Sequence, residues 1–279
     1  MRIFLTGATG YIGSAVAAVF RERGHDVDAL VRPDADTGAL RERGAVIVTG
    51  DLESLPSLRE QIANCDAFVH TAVSAKNKVE NDRAAIETFT SLPGFFLYTS
   101  GVWVLGNTKD ANEESQTNPI ALVTWRAPHE QLVGQGGGAV LRPGCVYGGK
   151  QSLFANWFAA AEQNRALEIV GDGTNRWALV DLHELADLYV RIVEQRITGI
   201  LHGIDDSDAT LDECARAVAP NGTIEHTSAD AAREKLGPFV DALTLDQRIG
   251  SEATRQRTGW APRRTFVNSI EAQWQEWRA

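Results

Sequence analysis

The stretch Arg2-Ile-Phe-Leu-Thr6, continuing as Gly7-Ala-Thr-Gly10-Tyr-Ile-Gly13-Ser14, decides the fold. Its first five residues are a short apolar run ending in a glycine-rich turn, the pattern of a buried strand. From Tyr11 to Arg23 apolar residues recur at helical spacing (Ile12, Val16, Val19, Phe20), and Gly24 supplies the helix stop. Strand, glycine turn and helix in that order form a cradle for a pyrophosphate. Gly7 and Gly10 permit the tight turn and let main-chain N–H groups approach the phosphates. Gly13 lets the helix pack close to the strand, and the helix N-terminus adds partial positive charge.

Working outward, strands are expected at Val27–Val31, Ala45–Val48, Ala67–Thr71, Phe95–Ser100 and Ala139–Arg142. Helical patterns fall between them at Leu40–Arg43, Leu55–Ala63, Val79–Leu92 and Ile120–Val133, the last with a kink expected at Pro128. Strands alternating with helices imply βαβ units, a parallel sheet and right-handed crossovers. Beyond Pro143 the rhythm changes. A helix is expected at Ser152–Asn164, a turn at Gly171–Gly173, a strong helix at His183–Gln195 and a return to the sheet at Ile200–Gly203. Short helices and one strand near Thr223–His226 complete the chain. The expected organisation is a dinucleotide-binding part over 1–150, joined by about 179–203, and a smaller substrate-binding part formed by 151–178 and 204–279.

Composition narrows the function. The 279 residues are 43% hydrophobic and 23% charged, close to a globular average. The net charge of −10 repels phosphate backbones, so no nucleic-acid partner is expected. No apolar run reaches the ~18 residues of a membrane span, and the N-terminus has no signal-peptide pattern. Cys65, Cys145 and Cys214 form no CxxC or Cys/His ligand pattern, so neither a metal site nor a disulfide framework is expected. These features suggest a cytoplasmic protein with a small-molecule substrate. Gly144–Lys150 has the spacing of a triphosphate loop, but Gln151 follows where a hydroxyl is needed for magnesium.

Several segments carry a resemblance in sequence order. The TGATGYIGS run has GxxGxxG spacing and is followed by Gly24-His-Asp-Val27. Further on come Gly50-Asp51-Leu52, Val69-His70-Thr71-Ala72 and Tyr98-Thr99-Ser100-Gly101. Leu141-Arg-Pro-Gly-Cys-Val-Tyr-Gly148, Leu179–Asp187 and Gly259-Trp260-Ala-Pro262 complete the set. Together they resemble the extended short-chain dehydrogenase/reductase superfamily, the group of nucleotide-sugar epimerases, dehydratases and related reductases. The resemblance implies a Rossmann-type doubly wound parallel sheet with a smaller C-terminal substrate domain. It places a nicotinamide cofactor along Gly7, Thr9, Gly10, Tyr11, Ile12, Gly13, Arg32, Asp51, Leu52, His70 and Ala72. It puts the family's serine position at the end of the fifth strand, at Ser100 or, with a one-residue shift, at Gly101, and implies a homodimer through the helices near 79–92 and 120–133.

Where NAD-using relatives end their second strand on an acid, this chain has Val31 followed by Arg32. An arginine pairs with a 2′-phosphate that a carboxylate would repel, so NADP(H) is favoured over NAD(H). Asp28 is a rival ribose ligand, earlier on the strand.

The family's chemistry rests on a Tyr-xxx-Lys pair, and none of the five lysines (Lys76, Lys78, Lys109, Lys150, Lys235) has a tyrosine four residues before it. Aligned on Glu130-Gln131, the tyrosine position falls near Leu122 and the lysine position near Arg126. Three readings stay open. Another group supplies the proton, with Tyr147, Tyr98, Ser100 and His129 as candidates; or the chemistry needs no strong acid; or the protein binds NADP(H) without turnover, as a sensor or regulator. For an enzyme, the expectation is an oxidoreductase or epimerase/dehydratase-like hydride transfer on a small or sugar-like carbonyl or carbinol. Ser100, Tyr147 and Arg126 would then be catalytic, and Trp103, Tyr147 and Trp177 would line the substrate pocket.

Overall fold

A computed structural model describes residues 1–279. Seven strands make the central sheet: β1 (Arg2–Thr6), β2 (Asp26–Val31), β3 (Val46–Thr49), β4 (Ala67–His70), β5 (Phe95–Thr99), β6 (Ala139–Pro143) and β7 (Gly199–Gly203). Their order is β7-β6-β5-β4-β1-β2-β3, and every pairing is parallel. The Rossmann-type sheet is thus present, with residues 199–203 returning to its edge.

The sheet is buried on both faces, as helix-covered parallel sheets are. Alternate residues of each strand divide between two cores. Ile3, Leu5, Ala29, Val69, Leu97 and Leu141 face α1 (Tyr11–Glu22) and the helix Leu182–Gln195. Phe4, Leu30, Phe68, Phe96 and Val140 face α2 (Lys78–Thr90) and α3 (Arg126–Gln135), where Phe89 stacks on Phe68 at 5.2 Å. The helix Leu182–Gln195 starts sharply because Asp181 caps it, accepting from the N–H groups of His183 and Glu184 at 2.8 and 3.1 Å.

A third core gathers Tyr147, Phe154, Trp157, Phe158, Trp177 and Phe266. It is built from the helices Ala155–Glu162, Leu211–Val218 and Ile270–Arg278 with two short parallel strand pairs, Cys145–Tyr147 with Leu179–Asp181 and Leu167–Val170 with Ile224–Thr227. Trp274 and Trp277 pack on Phe158 at 4.9 and 6.4 Å.

The single kinked helix expected over Ile120–Val133 is instead a 3-10 turn at Ala121–Val123 followed by α3. Pro128 sits in the first turn of α3, where its missing N–H has no partner to lose, so it helps start a helix rather than bend one.

Candidate functional site

The glycine turn is made of main chain in close approach. Gly7 adopts φ +79°, and a Cβ there would lie 2.6 Å from Thr71 Oγ1 and 2.8 Å from the Ala72 nitrogen. A Cβ on Gly13 would lie 2.0 Å from the Gly7 carbonyl oxygen. Turn, helix and the end of β4 therefore touch through backbone, which only glycine allows. Gly10 is the N-cap of α1, with no side-chain cap and no acid in the first turn, so the free N–H groups and the positive helix end are left for an anion.

A cleft of about 260 Å³ opens over this turn. Gly7, Thr9, Gly10, Arg32, Asp51, Leu52 and Ala72 all line it, together with Thr6, Leu30, Gly50 and Thr71–Ala75. Leu30 and Leu52 supply apolar walls. Arg32 is exposed, and its nearest carboxylate, Asp34, stands 4.0 Å away. Asp51 accepts from Ser54 N–H and Oγ–H at 2.8 and 2.9 Å, and these bonds hold its carboxyl below the usual range. Asp28 is excluded as a ribose ligand: it is buried and paired with Arg2 at 2.6 Å.

His70 does not reach this cleft. It is the last residue of β4 and points with Phe68 into the core beneath α2, 1% exposed. Its Nδ1 lies 2.6 Å from Thr6 Oγ1 and its Nε2 lies 3.2 Å from Asp82. The pleat decides this, since the cleft lies past the strand end, at Thr71 and Ala72.

A second cleft of about 350 Å³ lies beyond the carboxyl ends of β5 and β6. Tyr11, Ile12, Ser100, Trp103, Arg126, Cys145, Gln151 and Leu153 are among its walls. Tyr11 and Ile12 open α1, so the two clefts flank the same glycine turn. Ser100 Oγ is buried with no hydrogen-bond partner in the protein. A buried hydroxyl left unpaired is costly and is the atom most in need of a ligand. Arg126 is fixed beside it: Nη1 donates to the Thr99 carbonyl at 2.8 Å and to Tyr98 Oη at 3.2 Å, and the guanidinium lies 4.4 Å from the Trp125 ring centroid.

Two of the aromatic residues expected in the substrate pocket lie outside this cleft. Tyr147 is fully buried; its ring meets Phe266 edge-on at 5.3 Å and its Oη donates to Asp205 at 2.7 Å. Burial first, and then the Asp205 charge, raise its pKa well above that of a free phenol, so it neither reaches the cleft nor releases a proton readily. Trp177 lies in the third core against Phe154, with its Nε1–H given to the Leu243 carbonyl at 3.3 Å. Only Trp103 of the expected trio lines the cleft. Tyr11 is the one phenol there, and it donates to the Gly148 carbonyl at 2.6 Å.

Sequence reasoning missed Asp82. This buried residue of α2 accepts from Tyr98 Oη at 2.8 Å and His129 Nδ1 at 2.7 Å, and His70 Nε2 approaches it. Burial alone would raise its pKa; bonds from His129, His70 and Tyr98 outweigh it and hold the carboxyl below the usual range. Through Tyr98 this buried charge is coupled to Arg126. The signal was in the pattern: Asp82, Ile86 and Phe89 share one stripe of α2.

Comparisons with known proteins agree with this geometry. A family model described as NAD(P)H-binding matches residues 7–114. An uncharacterized protein of Saccharomyces cerevisiae, YLL056C, is 30% identical over 94% of this chain and 95% of its own length. The chain belongs to the extended short-chain dehydrogenase/reductase superfamily. It is also 28% identical to a 4-hydroxy-2-methyl-3-oxo-4-farnesyl-3,4-dihydroquinoline-1-oxide ketoreductase of Stigmatella aurantiaca, over 55% of this chain and 53% of that enzyme. The UDP-glucuronic acid 4-epimerase of Bacillus cereus, solved with UDP-glucuronic acid and NAD, superposes with a TM-score of 0.82 at 16% identity, covering 99% of this chain and 98% of that one. These matches support a nicotinamide dinucleotide as the cofactor class. No helix is long and apolar enough to cross a membrane.

Proposed function

We propose that this chain is an NADP(H)-dependent oxidoreductase, with epimerase- or dehydratase-like kinship, acting on a carbonyl or carbinol carbon held beside Ser100. The observation that carries the reading is the unpartnered Ser100 Oγ, buried in a cleft that shares the glycine turn with the cofactor cleft. The turn's N–H groups would bind the pyrophosphate, Leu30 and Leu52 would wall the adenine, and Arg32 would pair with a 2′-phosphate.

A bound nicotinamide dinucleotide supplies or accepts the hydride. Ser100 Oγ–H is placed to donate to the substrate oxygen. Arg126 barely titrates, so its part is electrostatic: anchored by the Thr99 carbonyl and by Tyr98, it stabilises negative charge developing on that oxygen. In the reducing direction the proton comes from water in the cleft through Ser100 as a relay: Oγ gives its proton to the substrate oxygen as it takes one from the water, so no serine alkoxide is left. A homodimer through α2 and α3, which pack side by side, belongs to the same reading and is checked by sedimentation.

A second reading, an NADP(H) sensor without turnover, is favoured by one observation. No tyrosine lies near Leu122, where alignment on Glu130-Gln131 puts the family's tyrosine position, and the phenol of Tyr11 is engaged by Gly148. Calorimetric titration with NADPH and NADH, followed by NADPH oxidation against a panel of carbonyl compounds, separates the two. Tight NADPH, weak NADH and turnover support the enzyme. Binding without turnover on any carbonyl supports the sensor, and binding of neither cofactor removes both.

A further inference from the structure

A groove of about 530 Å³ runs over the third core, and its walls include Leu153, Phe154, Trp157, Trp177, Leu236 and Phe239. Both clefts and groove fall within or near the ~300–1,000 Å³ of small-molecule sites. The groove adjoins the Ser100 cleft at two points. Leu153 lines both, and Trp103, a wall of the cleft, packs edge-on against Phe239 at 6.0 Å.

Thirteen of its seventeen lining residues are hydrophobic. Trp157 and Trp177 have already given their indole N–H groups to the carbonyls of Glu168 and Leu243, at 2.9 and 3.3 Å, so their rings offer only carbon. The charged residues in the lining, Arg165 and Glu168, are of opposite sign, and Arg165 is engaged by Gln163 at 2.9 Å. Leu153 and Leu236 are 41% and 45% exposed, two of the few large aliphatic side chains left in water. A nucleoside diphosphate carries more negative charge than the one arginine of this lining, with Glu168 among its neighbours, can offset. A hydrocarbon chain needs what the groove has.

We infer that the substrate carries a long apolar tail, an alkyl, acyl or isoprenoid chain, which lies in this groove while its carbonyl or carbinol sits at Ser100. The inference rests on the oxidoreductase reading and narrows its substrate class.

The test uses methyl ketones from butan-2-one to dodecan-2-one, read both by binding to the NADPH-loaded protein through fluorescence of the groove tryptophans and by NADPH oxidation. Affinity rises about three-fold per methylene until the groove is full. Ala159→Trp, on the partly exposed groove face of its helix, flattens that slope and weakens dodecan-2-one at least ten-fold; Leu236→Ser, at an exposed wall, weakens it about three-fold. Thermal melts confirm that both variants fold. A wild-type slope of zero, or dodecan-2-one binding undiminished in Ala159→Trp, overturns the inference. So does a concentration-dependent dimer abolished by Ala159→Trp without any chain-length effect, which would make the groove a protein contact. Chain-length-dependent binding with no NADPH oxidation on any ketone would instead fail the oxidoreductase reading and leave the groove's ligand class standing.

Discussion

Two buried carboxylates each accept a hydrogen bond from a tyrosine, and their pKa values are shifted in opposite directions. Asp82 meets Tyr98, His129 and His70, and those partners overcome the cost of burial and keep it ionised. Asp205 meets Tyr147 Oη at 2.7 Å and the Ser207 N–H at 2.7 Å, and here burial wins, pushing its carboxyl up to about 7. The depth of burial is similar, so the number and polarity of the partners set the charge. The consequence is functional: the Asp82 charge sits behind Arg126 and complements a cation the cleft needs, whereas Asp205 merely anchors Tyr147 inside the third core. The two clefts differ in a parallel way. The cofactor cleft is built from main chain, and the Ser100 cleft from side chains.

The largest effect that sharpens this contrast is at Gly13. In Gly13→Ala the Cβ meets the Gly7 carbonyl oxygen at 2.0 Å, and stability falls by more than about 3 kcal/mol with loss of NADPH binding, as urea unfolding and calorimetry would show. Gly101→Ala, in the side-chain-built cleft, meets nothing within 4 Å and changes stability by less than about 0.5 kcal/mol.

Next in size is Asp205. Its folded pKa of about 7 lies above the ordinary 3.8, so between those values the folded chain keeps a proton that the unfolded chain has lost. Stability therefore declines as pH rises from about 4 to about 7, by on the order of 4 kcal/mol relative to an unshifted carboxyl. Asp205→Asn removes that decline, so urea unfolding at pH 5 and pH 8 shows the variant gaining on the wild type at the higher pH.

Asp82 has the opposite sign. Its folded pKa is depressed, so its contribution is present above about pH 4 and is lost as pH falls further. Asp82→Asn costs about 2 kcal/mol at pH 7, and the gap to wild type closes on acidification. Smallest is Arg32→Ala, which weakens NADPH about ten-fold in calorimetry and leaves NADH unchanged, because only the 2′-phosphate loses a partner.

The strands of the sheet were legible because each is an apolar run closed by turn residues, and the glycine turn because its spacing and its place between strand and helix have one physical use. The placement of His70 was not legible: a motif says which segment approaches a ligand, while the pleat says which side chains do. The places of Tyr147 and Trp177 outside the Ser100 cleft were hidden for a related reason. Their positions depend on Phe266, Asp205 and Leu243, all more than fifty residues away in sequence, and on a third core that no local period announces. The stripe of α2 marks Asp82 as an inward-facing residue, but its cluster draws on β1, β4, β5, α2 and α3, so no spacing could name its partners. Ser100 and Arg126 were singled out from order along the chain; that both line one cleft, and that Ser100 Oγ has no partner there, is visible only in three dimensions.

The measurement that tests the central claim most directly is transfer of deuterium from the nicotinamide C4 of labelled NADPH to dodecan-2-one, by wild type and by Ser100→Ala. The account predicts deuterium at the carbinol carbon of the product with the wild type, and a rate lowered about a hundred-fold or more in Ser100→Ala, with NADPH affinity and stability little changed because Oγ has no partner to lose. Tight NADPH binding with no deuterium transferred, or transfer at the same rate in Ser100→Ala, would contradict it.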